Sequence, residues 1–462
     1  MTARPRLAHL LIIASFIGIM AGVVAWLFRM LIAFVHNLAF YGTFSTVYDA
    51  NHHADPSAWG WLWVLVPVAG GVVVVWLIRT FAPQAKGHGV PEVIDAIHYN
   101  QGNIPGRVAL VKALASSLTI GTGGALGREG PIVQIGAALS SALGQWLELP
   151  VRQKIVLIAC GASAGIAATF NAPLAGLLFS IELLLVSINS RTIVPVALAT
   201  AIAAWIGREL MGPEPAFNIP SLHTGIAEPR ALTELALMLP FGALMGVLAL
   251  LFSKAIYWSE DFFEARFQNP YLRHVFGMIL LGLLAMLLMQ TTGHYWIQGV
   301  GYATIQDVLS GNLQWPLFLV ALVVLKMVAT CLTIGSGGSG GVFSPSLFLG
   351  ATAGGAFGYG IIALWPSAGI DPAAFAIVGM ASLVAAATSA PLTAAVITYE
   401  MTLDYNVVLP TIIGVSVAYA VRRILSPTDI YTMKLLRRGH IIPEGLSTDI
   451  VGSIQVQHIM NP

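Results

Sequence analysis

Two glycine-rich stretches, "TIGTGGALGREGPIVQIGAALSSALG" (119–144) and "TIGSGGSGGVFSPSLFLGATAGGAFG" (333–358), align without a gap at an offset of 214 residues. Eleven of the 26 aligned positions are identical, whereas composition alone would give about two or three. A second block, residues 161–182, aligns with residues 379–400 and pairs Glu182 with Glu400. The small-residue packing common in membrane helices explains shared glycines, but not shared prolines and a shared glutamate. The chain therefore predicts two homologous halves.

The composition indicates a membrane protein. The 462 residues are 57% hydrophobic and 9% charged, whereas soluble domains are about 25% charged. The first apolar run is too long for the hydrophobic part of a signal peptide, so we interpret it as a retained helix. Five runs have spanning or near-spanning length, which predicts an all-α polytopic protein in a lipid bilayer. These runs are Leu7 to Val35, Trp59 to Ile78, Ala231 to Phe252, Val275 to Met289 and Leu317 to Ile334.

Charge and cysteine content narrow the class further. The net charge of +1 implies no nucleic-acid partner, and the only two cysteines, Cys160 and Cys331, lie in apolar segments and build no disulfide framework. No metal or cofactor is predicted. The positive-inside rule predicts cytoplasmic termini in a plasma (bacterial inner) membrane. The basic residues behind this prediction are Arg4 and Arg6 at one end and Arg422, Arg423, Lys434, Arg437 and Arg438 at the other.

The domain organisation follows from the duplication. We predict a first transmembrane repeat at 1–225, a second at 226–440, and a cytoplasmic tail at 441–462. The tail contains "VGSIQVQHIMNP" (451–462), which resembles the opening of paired cytoplasmic CBS domains and predicts that the natural chain continues. Repeats with glycine and proline interruptions at matching positions are typical of secondary transporters, where they mark the binding site.

Three turns share one pattern, in which glycines precede a proline that opens an apolar helix. They are "GHGVP" (87–91), "GREGP" (127–131) and "GVFSP" (341–345). The apolar segments 132–147 and 374–387 are short, which predicts half-helices or strongly tilted helices. Proline suits the first helical position, and each helix start presents free N–H groups and a positive dipole end. Their convergence without a cluster of lysines or arginines predicts a site for a partly dehydrated anion, with Gly89 and Gly130 among its backbone donors.

Glu129 lies between the glycines of the second turn. A carboxylate at a helix start is a tethered anion that can occupy the place of a mobile one. When ionised it blocks the path, and when protonated or swung aside it opens the path. The alternative is a static cap or a partner of Arg128, but adjacent residues on a helix do not face each other. We therefore predict that Glu129 is a gate and an outer proton-path residue.

The three turns in this order resemble the CLC family of chloride channels and chloride/proton exchangers, from the first helix to about residue 438. "NAPLAG" (171–176), "YEMTLDY" (399–405) and a tyrosine 31 residues beyond Glu400 agree with the family pattern. The resemblance implies an all-α fold of two inverted repeats with broken and tilted helices. It also implies a homodimer with one pore per subunit, bound chloride ions and no cofactor.

The resemblance also implies roles for particular residues. Glu129 would be the external gating glutamate, and the backbone N–H groups of Val342 and Phe343 would line the central anion site. The hydroxyl of Tyr431 would close that site from the cytoplasmic side. Sequence alone is equally compatible with Tyr431 as an interfacial belt tyrosine, and its spacing from Glu400 favours the pore.

Two positions depart from the family pattern. His88 replaces the usual serine, and its ring either donates to the anion or turns away and bonds to backbone, which leaves selectivity open. Leu183 stands where exchangers carry a glutamate on the proton path, and leucine cannot relay a proton. Glu182 is either a structural acid matched by Glu400 or a proton-path residue. The sequence therefore favours a channel or a weakly coupled transporter, with chloride/proton antiport as the alternative.

Two other classes are disfavoured. "GASAG" (161–165) fits a nucleophile motif with Ser163, which would indicate an intramembrane hydrolase, but the surrounding Gly/Ala-rich helix lacks the strand–turn–helix context. A structural or receptor-like membrane protein would not need three helix-opening glycine turns with an acid between the glycines of one. We therefore predict a transport protein rather than an enzyme.

Overall fold

The computed structural model describes residues 7–217 and 229–442. Arg4, Arg6, the boundary between 225 and 226, and the tail beyond residue 442 lie outside the described residues. The regular secondary structure of the described part is helical apart from two isolated β-bridges.

The described part of the first half contains eight α-helices. Their lengths differ widely, from 9 residues in α3 to 35 in α1. They are α1 (Leu7–Tyr41), α2 (Val66–Phe81), α3 (Val90–His98), α4 (Arg107–Gly121), α5 (Glu129–Trp146), α6 (Val151–Phe170), α7 (Pro173–Leu183) and α8 (Ser190–Met211).

The second half repeats this order and adds one short helix at its end. The helices are α9 (Pro229–Arg266), α10 (Pro270–Thr292), α11 (Tyr302–Leu309), α12 (Pro316–Ser336), α13 (Phe343–Leu364), α14 (Pro372–Thr388), α15 (Pro391–Thr402), α16 (Val408–Leu425) and α17 (Thr432–Arg437). Four 3-10 helices also occur, at Gly60–Leu65, Pro83–Ala85, Pro366–Ala368 and Tyr405–Val407.

Nine helices among the described residues are long and apolar enough to cross a membrane. Each of the five predicted apolar runs overlaps one of them, so the polytopic prediction is confirmed. The two predicted short segments become α5 and α14, with 18 and 17 residues.

The two halves pack in the same way. Helix α5 contacts α6 as α13 contacts α14, and α1 contacts α8 as α9 contacts α16. The first two pairs meet at glycines, Gly136 with Gly161 and Gly350 with Gly379. A Cβ atom added at any of these four positions would lie between 2.1 and 2.3 Å from the facing carbonyl oxygen. Backbone therefore packs directly on backbone in both repeats.

Two glutamates join the repeats reciprocally. The carboxylate of Glu182, on α7, accepts the backbone N–H groups of Leu392 and Thr393 at 2.9 and 2.7 Å. The carboxylate of Glu400, on α15, accepts those of Leu174 and Ala175 at 3.0 and 2.8 Å. Each carboxylate thus satisfies N–H groups of the first turn in the opposite repeat, where such groups have no intrahelical partner. This exchange relates the two halves by a local two-fold.

Candidate anion pathway

The three predicted glycine turns meet inside the protein. Gly127 and Gly341 exchange two backbone hydrogen bonds, with N···O distances of 2.8 and 2.6 Å. The N–H of Gly87 donates to the carbonyl of Gly338 at 3.1 Å, and the N–H of Gly340 donates to Gly87 at 3.3 Å. The predicted convergence of the turns is therefore present. The starts of α3, α5 and α13 face one region.

The proline lies one or two residues deeper in each helix than predicted. Helix α3 begins at Val90 with Pro91 second, while Pro131 and Pro345 are the third residues of α5 and α13. Proline lacks only an N–H that has no intrahelical acceptor anywhere in the first turn, so all of these positions tolerate it. Glu129 and Phe343, rather than prolines, are consequently the first residues of their helices.

The backbone donors predicted from the glycines are closely packed. Gly89 is the residue before α3 and has φ +86°, a conformation that favours glycine. A Cβ atom at Gly130 would lie 2.3 Å from the carbonyl oxygen of His88. Both positions need glycine so that the turns at 87–91 and 127–131 can approach. Val342 and Phe343, 1% and 6% exposed, stand at the start of α13 on the facing repeat.

Glu129 is buried, with 2% of its surface exposed. One carboxylate oxygen, Oε1, accepts hydrogen bonds from the hydroxyl of Tyr302 at 2.6 Å and from that of Ser344 at 2.5 Å. Ser344 belongs to the first turn of α13. The side chain of Glu129 therefore reaches from one helix start to the other. Arg128 does not pair with it but lies over the ring of Tyr302, with its guanidinium carbon 5.5 Å from the ring centroid.

His88 is fully buried, and both of its ring nitrogens lack a hydrogen-bond partner among the described residues. The alternative in which the ring bonds to backbone is therefore wrong. Its ring centroid lies 6.1 Å from that of Tyr431 and 6.4 Å from that of Tyr257. Buried imidazole nitrogens normally have partners, and two without one leave donor capacity for a ligand.

Tyr431 is 2% exposed and precedes α17. Its N–H donates to the carboxylate of Asp429 at 2.7 Å, and the neighbouring Ile430 donates its N–H to Ala387 at 2.9 Å. The hydroxyl of Tyr257 donates to the carbonyl of Ile430 at 2.5 Å. This burial contradicts an interfacial belt position. Tyr431 and His88 lie together on one side of the helix starts.

Glu182 binds a helix start of the other repeat, and Leu183 packs against the apolar core. Both carboxylate oxygens of Glu182 are occupied at the start of α15, where the hydroxyl of Thr393 adds a third hydrogen bond at 2.6 Å. Leu183 is the last residue of α7 and packs against the apolar core. The structure thus favours the interpretation of Glu182 as a structural acid.

A fourth glycine turn, which the sequence motifs missed, precedes α11. Gly301 has φ +80° and is followed by Tyr302. The turn is held by Lys326, whose ammonium donates to the carbonyls of Ile297 and Gly299 at 2.8 Å each. Lys112 holds the turn before α3 in the same way, donating to the carbonyls of Ala85 and Gly87 at 3.0 and 2.6 Å. The sequence signal that could have indicated this turn is the pair Lys112 and Lys326, which recurs at the offset of 214.

The segment after Tyr431 is fastened to α3 by charge. Arg438 donates two hydrogen bonds to the carboxylate of Glu92, at 3.0 and 2.7 Å, and Lys434 lies 3.2 Å from it. Burial alone would raise the pKa of Glu92, but Lys434 and Arg438 outweigh burial and lower the pKa to about 2. Glu92 is therefore ionised throughout the physiological range.

Ser163 shows no nucleophile geometry. It is fully buried within α6, and its hydroxyl contacts the hydroxyl of Ser180. An activated serine needs a base within hydrogen-bond reach, and this contact supplies none. Among the described residues, no cluster of three His, Cys, Asp or Glu side chains has metal-binding geometry.

Comparison with known proteins identifies the family. Residues 70–423 match the family model described as voltage gated chloride channel. The chain is 34% identical to the H(+)/Cl(-) exchange transporter ClcA of Vibrio parahaemolyticus over 92% of this chain and 89% of that protein. It is 32% identical to a putative chloride channel protein ClcB-like of Ralstonia nicotianae, over 82% and 86% of the two chains.

A solved structure agrees with the sequence comparisons. The crystal structure of a slow cyanobacterial Cl-/H+ antiporter superposes with a TM-score of 0.79 at 26% identity, covering 95% of this chain and 99% of that one. The predicted all-α fold of two inverted repeats is therefore confirmed. The hydrolase alternative on Ser163 and the receptor-like alternative are both wrong, since members of the matched family are transport proteins. The chain belongs to the voltage gated chloride channel family, the CLC family, of integral membrane proteins that transport chloride.

Proposed function

We propose that this protein exchanges chloride for protons across a membrane, and that Glu129 is the gate that couples the two movements. One observation carries the proposal. The buried carboxylate of Glu129 starts α5 and accepts a hydrogen bond from Ser344 in the first turn of α13. A carboxylate in this position lies beside the helix start that we propose binds the mobile anion, and it competes with the anion for that place. Protonation removes its charge and releases the position to chloride.

The proposal of exchange, rather than passive conduction, rests on the relatives. The Vibrio parahaemolyticus protein, 34% identical, is named an H(+)/Cl(-) exchange transporter, and the cyanobacterial structure is described as a Cl-/H+ antiporter. These names favour antiport over the channel that Leu183 alone would favour. A channel is the second candidate, because Leu183 cannot relay a proton and both oxygens of Glu182 are engaged at α15. In an exchanger, water would then carry the proton past α7.

The anion site that we propose is built mainly from backbone. N–H groups at Gly89, Gly130, Val342 and Phe343 would bind chloride, because helix starts bind anions through partial charges that also permit release. The unpartnered ring of His88 would add a donor next to Tyr431. We expect bound chloride ions along this line.

The decisive experiment uses proteoliposomes with an imposed chloride gradient and no proton gradient. We expect chloride movement to drive protons in the opposite direction, read as a pH change outside the vesicles. Glu129→Ala should retain chloride flux but lose both proton movement and the pH dependence of flux. Glu209→Gln, an exposed acid on α8, is the control and should behave as wild type.

Three outcomes would contradict parts of this proposal. Measurable chloride flux of the wild type without any proton movement would identify a channel. Identical chloride flux of the wild type and Glu129→Ala from pH 4 to 8 would remove Glu129 from the gate. Proton transport that disappears in Glu182→Gln would instead make Glu182 the relay.

Selectivity is tested at His88. If the imidazole binds the ion, His88→Ser should change the relative permeabilities of chloride, nitrate, bromide and fluoride. Unchanged ratios would mean that the ring takes no part in binding.

We also propose the coarser arrangement of the protein. The family resemblance supports a homodimer with one pore per subunit, made of repeats at 1–225 and 226–440. The basic residues after α16 support cytoplasmic termini in a plasma membrane. Cross-linking of the protein in vesicles tests the dimer, and protease access to residues 441–462 tests the orientation.

A further inference from the structure

Tyr302 contacts Glu129 in a way that the sequence motifs do not predict. Its hydroxyl donates to Oε1 of Glu129 at 2.6 Å and lies 3.3 Å from the hydroxyl of Ser344. Tyr302 and Glu129 are each 2% exposed. The second carboxylate oxygen, Oε2, is buried without a partner among the described residues. Among the described residues, both hydrogen bonds to the carboxylate therefore reach the same oxygen, and both come from hydroxyl groups.

The hydroxyl of Tyr302 is held in place by its surroundings. The residue opens α11 directly after Gly301, in the turn that Lys326 fixes through two carbonyls. The ring of Phe217 packs edge-on against the Tyr302 ring, with centroids 5.2 Å apart, and the guanidinium of Arg128 covers it at 5.5 Å. These contacts restrict the motion of the ring, so the hydroxyl is already in place to donate to Glu129.

We propose that Tyr302 is the positioning residue of the gate, because its hydroxyl latches the Glu129 side chain in the anion path. The proposal rests on the proposed role of Glu129 as the gate. A hydrogen bond from a buried hydroxyl to a carboxylate favours the charged, bound form of the carboxylate. Chloride enters only when this bond breaks or when a proton neutralises Glu129. The strength of one hydrogen bond thus sets how easily the gate opens.

Other charged and titratable groups also act on Glu129, and they stay unchanged when only this hydroxyl is removed. Arg128 precedes Glu129 in the chain. Lys326 on α12 and Tyr431 before α17 interact with it electrostatically. Tyr302 also lines a cavity together with His36, His53 and Gln298.

The test removes the hydroxyl and keeps the ring. Chloride efflux from proteoliposomes is measured between pH 4 and 8 for the wild type and Tyr302→Phe. A hydrogen bond to a charged group shifts an equilibrium by about tenfold or more. We expect flux near neutral pH to rise by up to about tenfold, and the half-maximal pH to move upward by roughly one unit. In the Glu129→Ala background, Tyr302→Phe should have no further effect.

A matched control and a second variant guard against a structural explanation. Tyr295→Phe removes another buried hydroxyl, one that accepts the N–H of Ser57 at 3.2 Å, and should leave the pH profile unchanged. If Tyr302→Phe does not fold, 3-fluorotyrosine at position 302 keeps the fold and makes the hydroxyl a stronger donor. Its half-maximal pH should move downward, opposite to that of Tyr302→Phe.

The failures of the two proposals differ. A wild-type pH profile in Tyr302→Phe or in the fluorinated protein, together with lost pH dependence in Glu129→Ala, would overturn the latch and leave the gate intact. A wild-type profile in Glu129→Ala would overturn the gate itself. Equal shifts in Tyr302→Phe and Tyr295→Phe would assign both to general loosening of the region and overturn the latch.

Discussion

The two repeats share side chains that bind glycine turns and helix starts, and they differ at the residues that we propose for the gate. Lys112 and Lys326, 214 positions apart, each donate to two carbonyls of a glycine turn. Glu182 and Glu400, 218 positions apart, each satisfy the start of the other repeat's helix. Each of these four side chains thus has a counterpart in the other half that binds the same kind of backbone group.

Glu129 and Tyr302, which we propose as the gate and its positioning residue, have no such counterparts. At the offset of 214, Glu129 falls on Phe343. The turns before α3 and α11 align Gly89 with Gly301, and this puts Val90 opposite Tyr302. One repeat therefore contributes the acid, while the other contributes the hydroxyl that binds it. The contacts of the paired lysines and glutamates are therefore symmetrical between the repeats, whereas the helix starts around Glu129 are not. The predictions below test first the shared contacts and then the asymmetry.

The largest effect is expected at the glycine contacts. Gly136→Ala and Gly350→Ala each place a Cβ atom 2.1 or 2.2 Å from a backbone oxygen that cannot rotate away. Overpacking of this kind costs about 3 kcal/mol or more, so we expect both variants to unfold at lower temperature or to fail to assemble. Thermal unfolding in detergent measures the loss. Gly360→Ala, on α13 with open space around it, is the control and should be neutral or slightly stabilising. A large loss in only one of the two variants would contradict equivalence of the repeats.

The second effect concerns the two buried lysines. Lys112→Met and Lys326→Met keep the length of the side chain but each remove two hydrogen bonds from a buried ammonium to carbonyls of a glycine turn. We expect each variant to lose about 2–3 kcal/mol, because hydrogen bonds from a charged donor are among the stronger ones. The same thermal assay compares them with Lys154→Met, whose exposed ammonium contacts only Asn103. Lys112→Met and Lys326→Met losses that differ by more than a factor of two would argue against a shared role.

Many of the contacts that the two repeats share were predictable from the sequence, for a physical reason. Glycines and glutamates that recur at fixed offsets make the same contacts in both halves. The convergence of the turns follows from those motifs, whereas the burial of Tyr431 was favoured only by its spacing from Glu400. Pro131 and Pro345 lie two residues deeper in their helices than the sequence predicted, because the whole first turn of a helix tolerates proline.

Tyr302 was not predictable in the same way. Its turn, "GVGY" (299–302), lacks the proline that marks the other three turns, and it aligns at an offset of 212 instead of 214. The contact from Tyr302 to Glu129 crosses 173 residues of sequence. Local pattern carries no information about such a pair. The orientation of His88 is likewise set by neighbours from other segments, Tyr257 and Tyr431.

A third, smaller effect is expected at the reciprocal glutamates. Glu182→Gln and Glu400→Gln keep one acceptor oxygen each but lose the charge that favours a helix start. We expect each to lower the free energy of unfolding by about 1 kcal/mol. Glu209→Gln on the exposed face of α8 should change it by less than about 0.5 kcal/mol. A loss at Glu182 much larger than that at Glu400 would mean that Glu182 does more than join the repeats.

The smallest effect is expected at a contact that only one repeat makes. The segment after α16 binds α3 rather than its counterpart α11. Glu92, on α3, takes both guanidinium hydrogen bonds of Arg438, and the position aligned with it on α11 is Thr304. We expect Glu92→Gln to lower the free energy of unfolding by about 0.5–1 kcal/mol, since Arg438 is partly exposed and its pair is screened. Asp261→Asn, which breaks the more exposed pair with Arg437, should cost less than about 0.5 kcal/mol.

The pH dependence of the stability difference between the wild type and Glu92→Gln identifies its cause. The charges of Lys434 and Arg438 outweigh burial and lower the pKa of Glu92 from 4.5 to about 2. A carboxyl group with a lowered pKa stabilises the folded protein fully above its unfolded value, and the stabilisation is lost as pH falls through the folded value. The gap between wild type and Glu92→Gln should thus be constant from about pH 5.5 to 8 and should close only below about pH 4. A gap that changed between pH 6 and 8 would point to a different group, and the C-terminal segment would then be held to the first repeat by something other than this carboxylate.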